Sequence, residues 1–146
     1  INKQDVEKYG VLSRSEMMSR WEIGMEDYQR RIRIEAGIAL EIARSMVRPV
    51  VADEFSKLAT ALGQAKSDGL KSGIRGLTAL SLKLGAGLDD LHIKCDALER
   101  TLTREENAAS QLKAMNDLRK TVDKLEGLVD DSRWPLPKYR EILFVH

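Results

Sequence analysis

The chain has 146 residues, with 24 Lys and Arg against 23 Asp and Glu and two His, for a formal net charge of +1. That length suits one domain spanning 1–146, and a 42% hydrophobic share with 32% charged residues and three Pro excludes a disordered, collagenous or disulfide-stapled chain. The balanced charge supplies no long-range field to draw in nucleic acid or an anionic membrane, so neither is expected as a partner.

Ser13 and Glu16 have capping-box spacing, and Leu12 and Met17 occupy the two positions of a hydrophobic staple. A helix is therefore predicted to start just after Ser13. Met18, Trp21, Met25, Tyr28, Ile32, Ala39, Ile42 and Met46 then step by threes and fours, which carries the helix over about 14–48. Glu35 interrupts this seam. A buried carboxylate there needs a Lys or Arg from another helix, or a proton. The alternative is a small rotation that moves Glu35 to the edge and turns Ile34 and Ile38 inward.

Pro49 lacks a backbone donor and disfavours helical geometry at Arg48, so the first helix is expected to stop or bend there. Val51, Phe55, Leu58, Leu62 and Ala65 predict a second helix over 50–67, ended by the turn cluster Ser67-Asp68-Gly69, with Asp68 as a cap for the third helix. That third helix, 70–102, is the most regular. Leu70, Ile74, Leu77, Ser81, Leu84, Leu88, Leu91, Cys95, Leu98 and Leu102 share one heptad seam. Gly73, Gly76, Gly85 and Gly87 inside it cost about 1 kcal/mol each relative to Ala and permit close helix contact.

Thr103 and Glu106 have the spacing of a second capping box, and the apolar register changes there to Ala108, Met115, Leu118, Val122, Leu125 and Val129. A fourth helix is predicted over 104–130. Trp134-Pro135-Leu136-Pro137 then leaves helical geometry. The tail 131–146 concentrates Trp134, Leu136, Tyr139, Ile142, Leu143 and Phe144, and is expected to dock on the bundle or on a neighbouring subunit. At about 1.5 Å per residue the first and third helices each reach roughly 50 Å, and such rods bury their seams only against each other. The fold class is all-α: an elongated antiparallel up-and-down bundle of three to four helices with an extended C-terminal tail.

Chemistry is sparsely supplied. Cys95 is the single cysteine, which excludes an internal disulfide and fits a reducing, cytoplasmic compartment. His92 and Cys95 stand three apart on a helix, a spacing open to zinc, but two further ligands are missing. A histidine phosphotransfer bundle is an alternative use of His92, but Cys95 and Asp96 stand where such domains carry Lys and Gly. Arg30, Arg31 and Arg33 lie among Glu26, Asp27 and Glu35 and read as a solvated, ion-paired face. Gly85-Ala86-Gly87 is no phosphate loop, because it sits in a helical pattern with no strand before it. No catalytic, cofactor-binding or metal-ligating residue is assigned. No run of about 18 apolar residues is present to span a bilayer. The start at Ile1, without Met or a signal peptide, points to a piece of a longer polypeptide or a trimmed terminus.

Three stretches carry a family likeness. Arg20-Trp21-Glu22 with Glu26-Asp27-Tyr28, then Ile32-x-Ile34-Glu35-Ala36 and Arg48-Pro49-Val50-Val51, resembles the segment after the catalytic domain in type III glutamine synthetases. Trp21 stands where Tyr is usual there, and Val50 where Ala is. Ala114-Met115, Leu118-Arg119, Val122-Asp123, Leu125-Glu126 and Trp134-Pro135-x-Pro137-x-Tyr139 through Leu143-Phe144 is similar to that family's C-terminal end. The resemblance implies a structural and assembly domain of a cytoplasmic ligase that joins ammonia to glutamate with ATP and magnesium. Its implied partners are an upstream catalytic domain and neighbouring subunits of a homo-oligomeric ring. The family's active-site motif K-P-x-x-x-x-x-N-G-S-G-x-H occurs nowhere in the chain. No cofactor is expected in this fragment. The competing reading is a stand-alone helical interaction or signalling module.

Overall fold

In the computed structural model, which describes Gly10 and residues 13–137, Ser13 opens helix α1 (Arg14–Ile42) with a complete capping box. Its Oγ accepts the Glu16 N–H at 3.2 Å, and Glu16 Oε2 accepts the Ser13 N–H at 2.9 Å. The Ser13 backbone N–H, with the Ser13 hydroxyl beside it, holds the Glu16 carboxyl below its ordinary pKa. Leu12, the first half of the expected staple, lies outside the described residues.

Pro49 neither stops the helix nor separates it from the next. A π-helical segment, Ala43–Val47, follows α1 and runs directly into α2 (Arg48–Ser67), so one rod extends from Arg14 to Ser67. The Arg48 N–H reaches back five residues to the Ala43 carbonyl. The wider turn absorbs the ring and the missing donor of Pro49 that would otherwise break an α-helical ladder. It also rephases the seam. Ala43, Val47, Val51 and Phe55 step by four, a spacing that drifts about 40° per step on α geometry. All four reach the core.

Asp68 terminates α2 rather than capping the next helix; its carboxylate accepts a bond from Gln64 at 2.9 Å. Gly69 and Gly73 take left-handed φ of 67° and 88°, which glycine adopts without steric cost. The third helix, α3 (Ile74–Thr103), therefore begins four residues later than the heptad count predicts, and Leu70 is exposed. Beyond that start the seam is as read: Ser81, Leu84, Leu91, Cys95 and Leu98 are buried.

The predicted Thr103–Glu106 capping box does not form. Thr103 ends α3, Glu105 turns the chain at φ 51°, and Asn107 caps α4 (Ala108–Glu126) by accepting the Ser110 N–H at 2.9 Å. The fourth helix is thus 108–126 instead of 104–130. Long-range contacts fix the topology. Gln29 meets Glu106, Arg44 meets Glu99 and Phe55 lies against Gly85, so α3 runs antiparallel to the first rod. Thr121 meets Asp90 across α3 and α4, which are antiparallel as well. The result is an all-helical up-and-down bundle.

Glu35 is exposed and is not the buried carboxylate that the seam predicted. Ala36 is fully buried one position on, while Ile34 and Ile38 remain exposed, so the rotation brings neither isoleucine inward. The α3–α4 turn ends beside Gln29, and the first 15 residues of α1, about 22 Å, extend past it. Met18, Trp21, Met25 and Tyr28 continue the seam there but are exposed.

Of the tail, residues up to Pro137 are described. Asp130 receives two bonds from Ser132, both 2.9 Å, and these depress its pKa. Arg133 binds Glu54 at 3.1 Å and pairs with Asp53, while Trp134 is buried and Leu136 packs beside the core. Tyr139, Ile142, Leu143 and Phe144 lie outside the described residues.

Candidate functional site

The residues with chemical potential do not converge. His92 is exposed on α3, with Nε2 3.4 Å from Asp96 Oδ2. Cys95 faces the core, and burial pushes its thiol pKa up, against the opposing pull of Arg44 and Arg48. The two side chains therefore leave the helix on different faces. Among the described residues no group of three or more His, Cys, Asp or Glu is gathered where a metal ion could be held. None of their helices is long and apolar enough to cross a membrane.

What the bundle does present is a set of polar clamps between its elements and, lined by other residues, an open apolar groove. Arg44, in the π segment, donates to both carboxylate oxygens of Glu99 at 2.8 Å and to Asp96 at 3.1 Å. The guanidinium hydrogen bonds hold the Glu99 carboxyl below its usual range, and they hold Arg44 charged. Arg33 reaches Glu105 on the α3–α4 turn at 3.2 Å, whereas Arg30 makes only a 3.9 Å contact with Asp27. The basic run thus serves ion pairs, one of them between elements.

Gln29 tethers that turn with both ends of its amide: Nε2 donates to the Glu106 carbonyl at 3.2 Å and Oε1 accepts the Ala108 N–H at 2.7 Å. Two buried polar side chains sit on the inner face of α4. Thr121 donates to Asp90 at 2.7 Å, while Gln111 Oε1 has no partner among the described residues. Gln111 and Thr121 fall in helical phase with Ala108, Leu118 and Leu125, a signal legible in the sequence. Arg44 offered none, since its partners are 52 and 55 positions away.

The groove lies between α1 and α4, has a volume of about 440 Å³, and is lined by Ile38, Ala39, Ile42, Met115 and Val122. Leu136 closes one part of it, and Glu35, Arg119 and Asp123 mark its rim. Nothing in it resembles a nucleophile and its base, or a phosphate cradle. It is a surface suited to packing.

The fold is that of an all-helical bundle, and comparisons with known proteins show what it is similar to. The family described as the glutamine synthetase C-terminal domain matches residues 2–66, the stretch that includes the whole first rod up to Lys66. The chain is 28% identical over 155 residues to the type-3 glutamine synthetase of Dictyostelium discoideum, covering 92% of this chain and 20% of that protein. It is 30% identical over 148 residues to a glutamine synthetase of Butyrivibrio fibrisolvens, covering 94% and 21%. A glutamine synthetase of Bacteroides fragilis (strain YCH46) is 23% identical over 149 residues, with 92% and 20% covered. These matches support a C-terminal domain of a type III-like glutamine synthetase. It spans about a fifth of the length of the curated relatives it matches. No solved structure matches it.

Proposed function

We propose that this domain serves as the structural and assembly element of a type III-like glutamine synthetase, contributing helix surfaces rather than catalytic groups. The observation that carries the reading is the joint pattern of the matches: they cover nearly the whole chain but only a fifth of each synthetase. On this reading the ligation of ammonia to glutamate, with ATP and magnesium, is the work of an upstream catalytic domain in the cytoplasm. The partners of the helical domain are that catalytic domain and neighbouring subunits of a homo-oligomer. The half of α1 that runs past the bundle supports this use, because a solvent-exposed helix carrying Ile23, Met25 and Tyr28 is suited to packing on another surface.

The test compares the parent synthetase with a version lacking residues 1–146. Loss of the oligomer in sedimentation, with glutamine formation falling alongside it, is the expected result. An unaltered oligomer and full activity would refute the assembly role, as would glutamine formation by the isolated domain supplied with ATP, magnesium, glutamate and ammonia.

A further inference from the structure

We propose that the groove between α1 and α4 is the docking site of this chain's own segment 138–144. The chain is led to it. Arg133 is anchored to Asp53 and Glu54 on α2, Trp134 is buried, and Leu136 already lines the groove with residues of the first rod no later than Val47. From Arg133 to Leu136 the chain thus moves back along that rod toward lower residue numbers. Pro135 and Pro137 hold the intervening residues extended, so the direction carries forward into the groove.

The lengths match. On the first rod the lining runs from Glu35 to Val47, which spans about 18 Å along the helix. The seven residues 138–144, when extended, span about 20 Å from first to last. The composition matches as well. Ile38 stands 52% exposed at the open side of the groove, a large apolar area left in water beside Ile42, Met115 and Val122. Segment 138–144 carries Tyr139, Ile142, Leu143 and Phe144, apolar area of the kind that stabilises only when covered. Charge agrees with this assignment. The rim offers Glu35 and Asp123 with Arg119 between, and the segment brings Lys138 and Arg140 with Glu141.

Limiting trypsin digestion of the 146-residue chain tests the proposal at the bonds after Lys138 and Arg140. Free peptides spanning 134–146 supply the intrinsic rates. Docking is expected to slow both cleavages by at least about tenfold relative to the peptide, because cleavage then tracks the undocked population. Ile38→Arg, at an exposed helical position, is expected to restore the peptide rate while the bundle stays folded by circular dichroism. Should that variant unfold, Leu143→Asp with Phe144→Asp carries the comparison, since neither residue belongs to the described core. Equal cleavage rates in the wild-type chain and the peptide would overturn the proposal. Protection that is lost on dilution, together with a dimer in sedimentation, would also overturn it by assigning the groove to a second copy's segment.

Discussion

Gln29 on α1 and Ala108 at the head of α4 stand 79 positions apart, and the Gln29 Oε1 accepts the Ala108 N–H at 2.7 Å. The first N–H groups of a helix have no partner within it, and Asn107 satisfies only that of Ser110. Gln29 therefore acts as a second cap supplied from another rod, while its Nε2 holds the Glu106 carbonyl. Gln29→Ala leaves a nearly buried donor unpaired and is expected to cost about 1–2 kcal/mol in urea denaturation. Gln29→Glu keeps the acceptor and places a negative charge at a helix N-terminus, so a smaller loss is expected.

How much of this arrangement was legible in the sequence depended on whether the responsible partners were near or far along the chain. The α3 seam could be read because helical phase alone sets it, and Ser81 and Cys95 fall on it beside the leucines. Glu35 was misplaced because the count stepped three from Ile32, past the small Ala36 one position on that is fully buried. The run of fours at Ala43, Val47, Val51 and Phe55 was the available sign that the turn widens before Pro49. Asn107 was overlooked because Thr103 and Glu106 have the better-known spacing, whereas the left-handed turn at Glu105 leaves room for only one helix start. Arg44, Gln29 and Arg133 act across 50 or more positions, and no local pattern announces such pairs.

The glycines of α3 are expected to separate into two kinds. A Cβ added at Gly87 would come within 2.6 Å of Leu125 Cδ2, so the Leu125 side chain, 1% exposed, would have to shift. Overpacking of this kind costs about 1–3 kcal/mol, which outweighs the roughly 1 kcal/mol that Ala gains in helix propensity. Gly87→Ala is thus expected to lower the melting temperature. At Gly76 the added atom meets nothing within 4 Å, so Gly76→Ala is expected to stabilise by about 0.5–1 kcal/mol. A rise in melting temperature for both variants would contradict the close approach of α3 to α4.

Acid should weaken the clamp between the π segment and α3. Arg44 hydrogen bonds hold the Glu99 carboxyl below its ordinary pKa, so the folded state favours the charged form. A depressed folded pKa contributes stability that is present above the unfolded value, about 4.3, and is lost as pH falls through the folded value. Arg44 keeps its charge throughout. Glu99→Gln is expected to be less stable than wild type at pH 7, with the difference narrowing below about pH 4.5. Denaturation midpoints for both proteins between pH 3 and pH 7 check the sign, and a difference independent of pH would contradict it.

Trp134 joins the tail to the bundle by apolar burial more than by polar bonds. It is 8% exposed, packs with the core that contains Val129 and Leu125, and its Nε1 has no acceptor among the described residues. Removing a buried aromatic side chain from such a site costs about 3–5 kcal/mol, so Trp134→Ala is expected to lose that much stability. Trp134→Phe retains an aromatic ring and removes a donor without a described partner, so its cost is expected to be a small part of that loss. Fluorescence can follow the site directly. Trp21, the other tryptophan, is 52% exposed on α1, and a Trp21→Phe variant isolates the signal of Trp134. Its emission is expected to be blue-shifted in the folded protein and to move to the red in the same transition that melts the helices. Emission already red-shifted under native conditions would mean that Trp134 is not seated in the core, and the predicted cost of Trp134→Ala would fall with it.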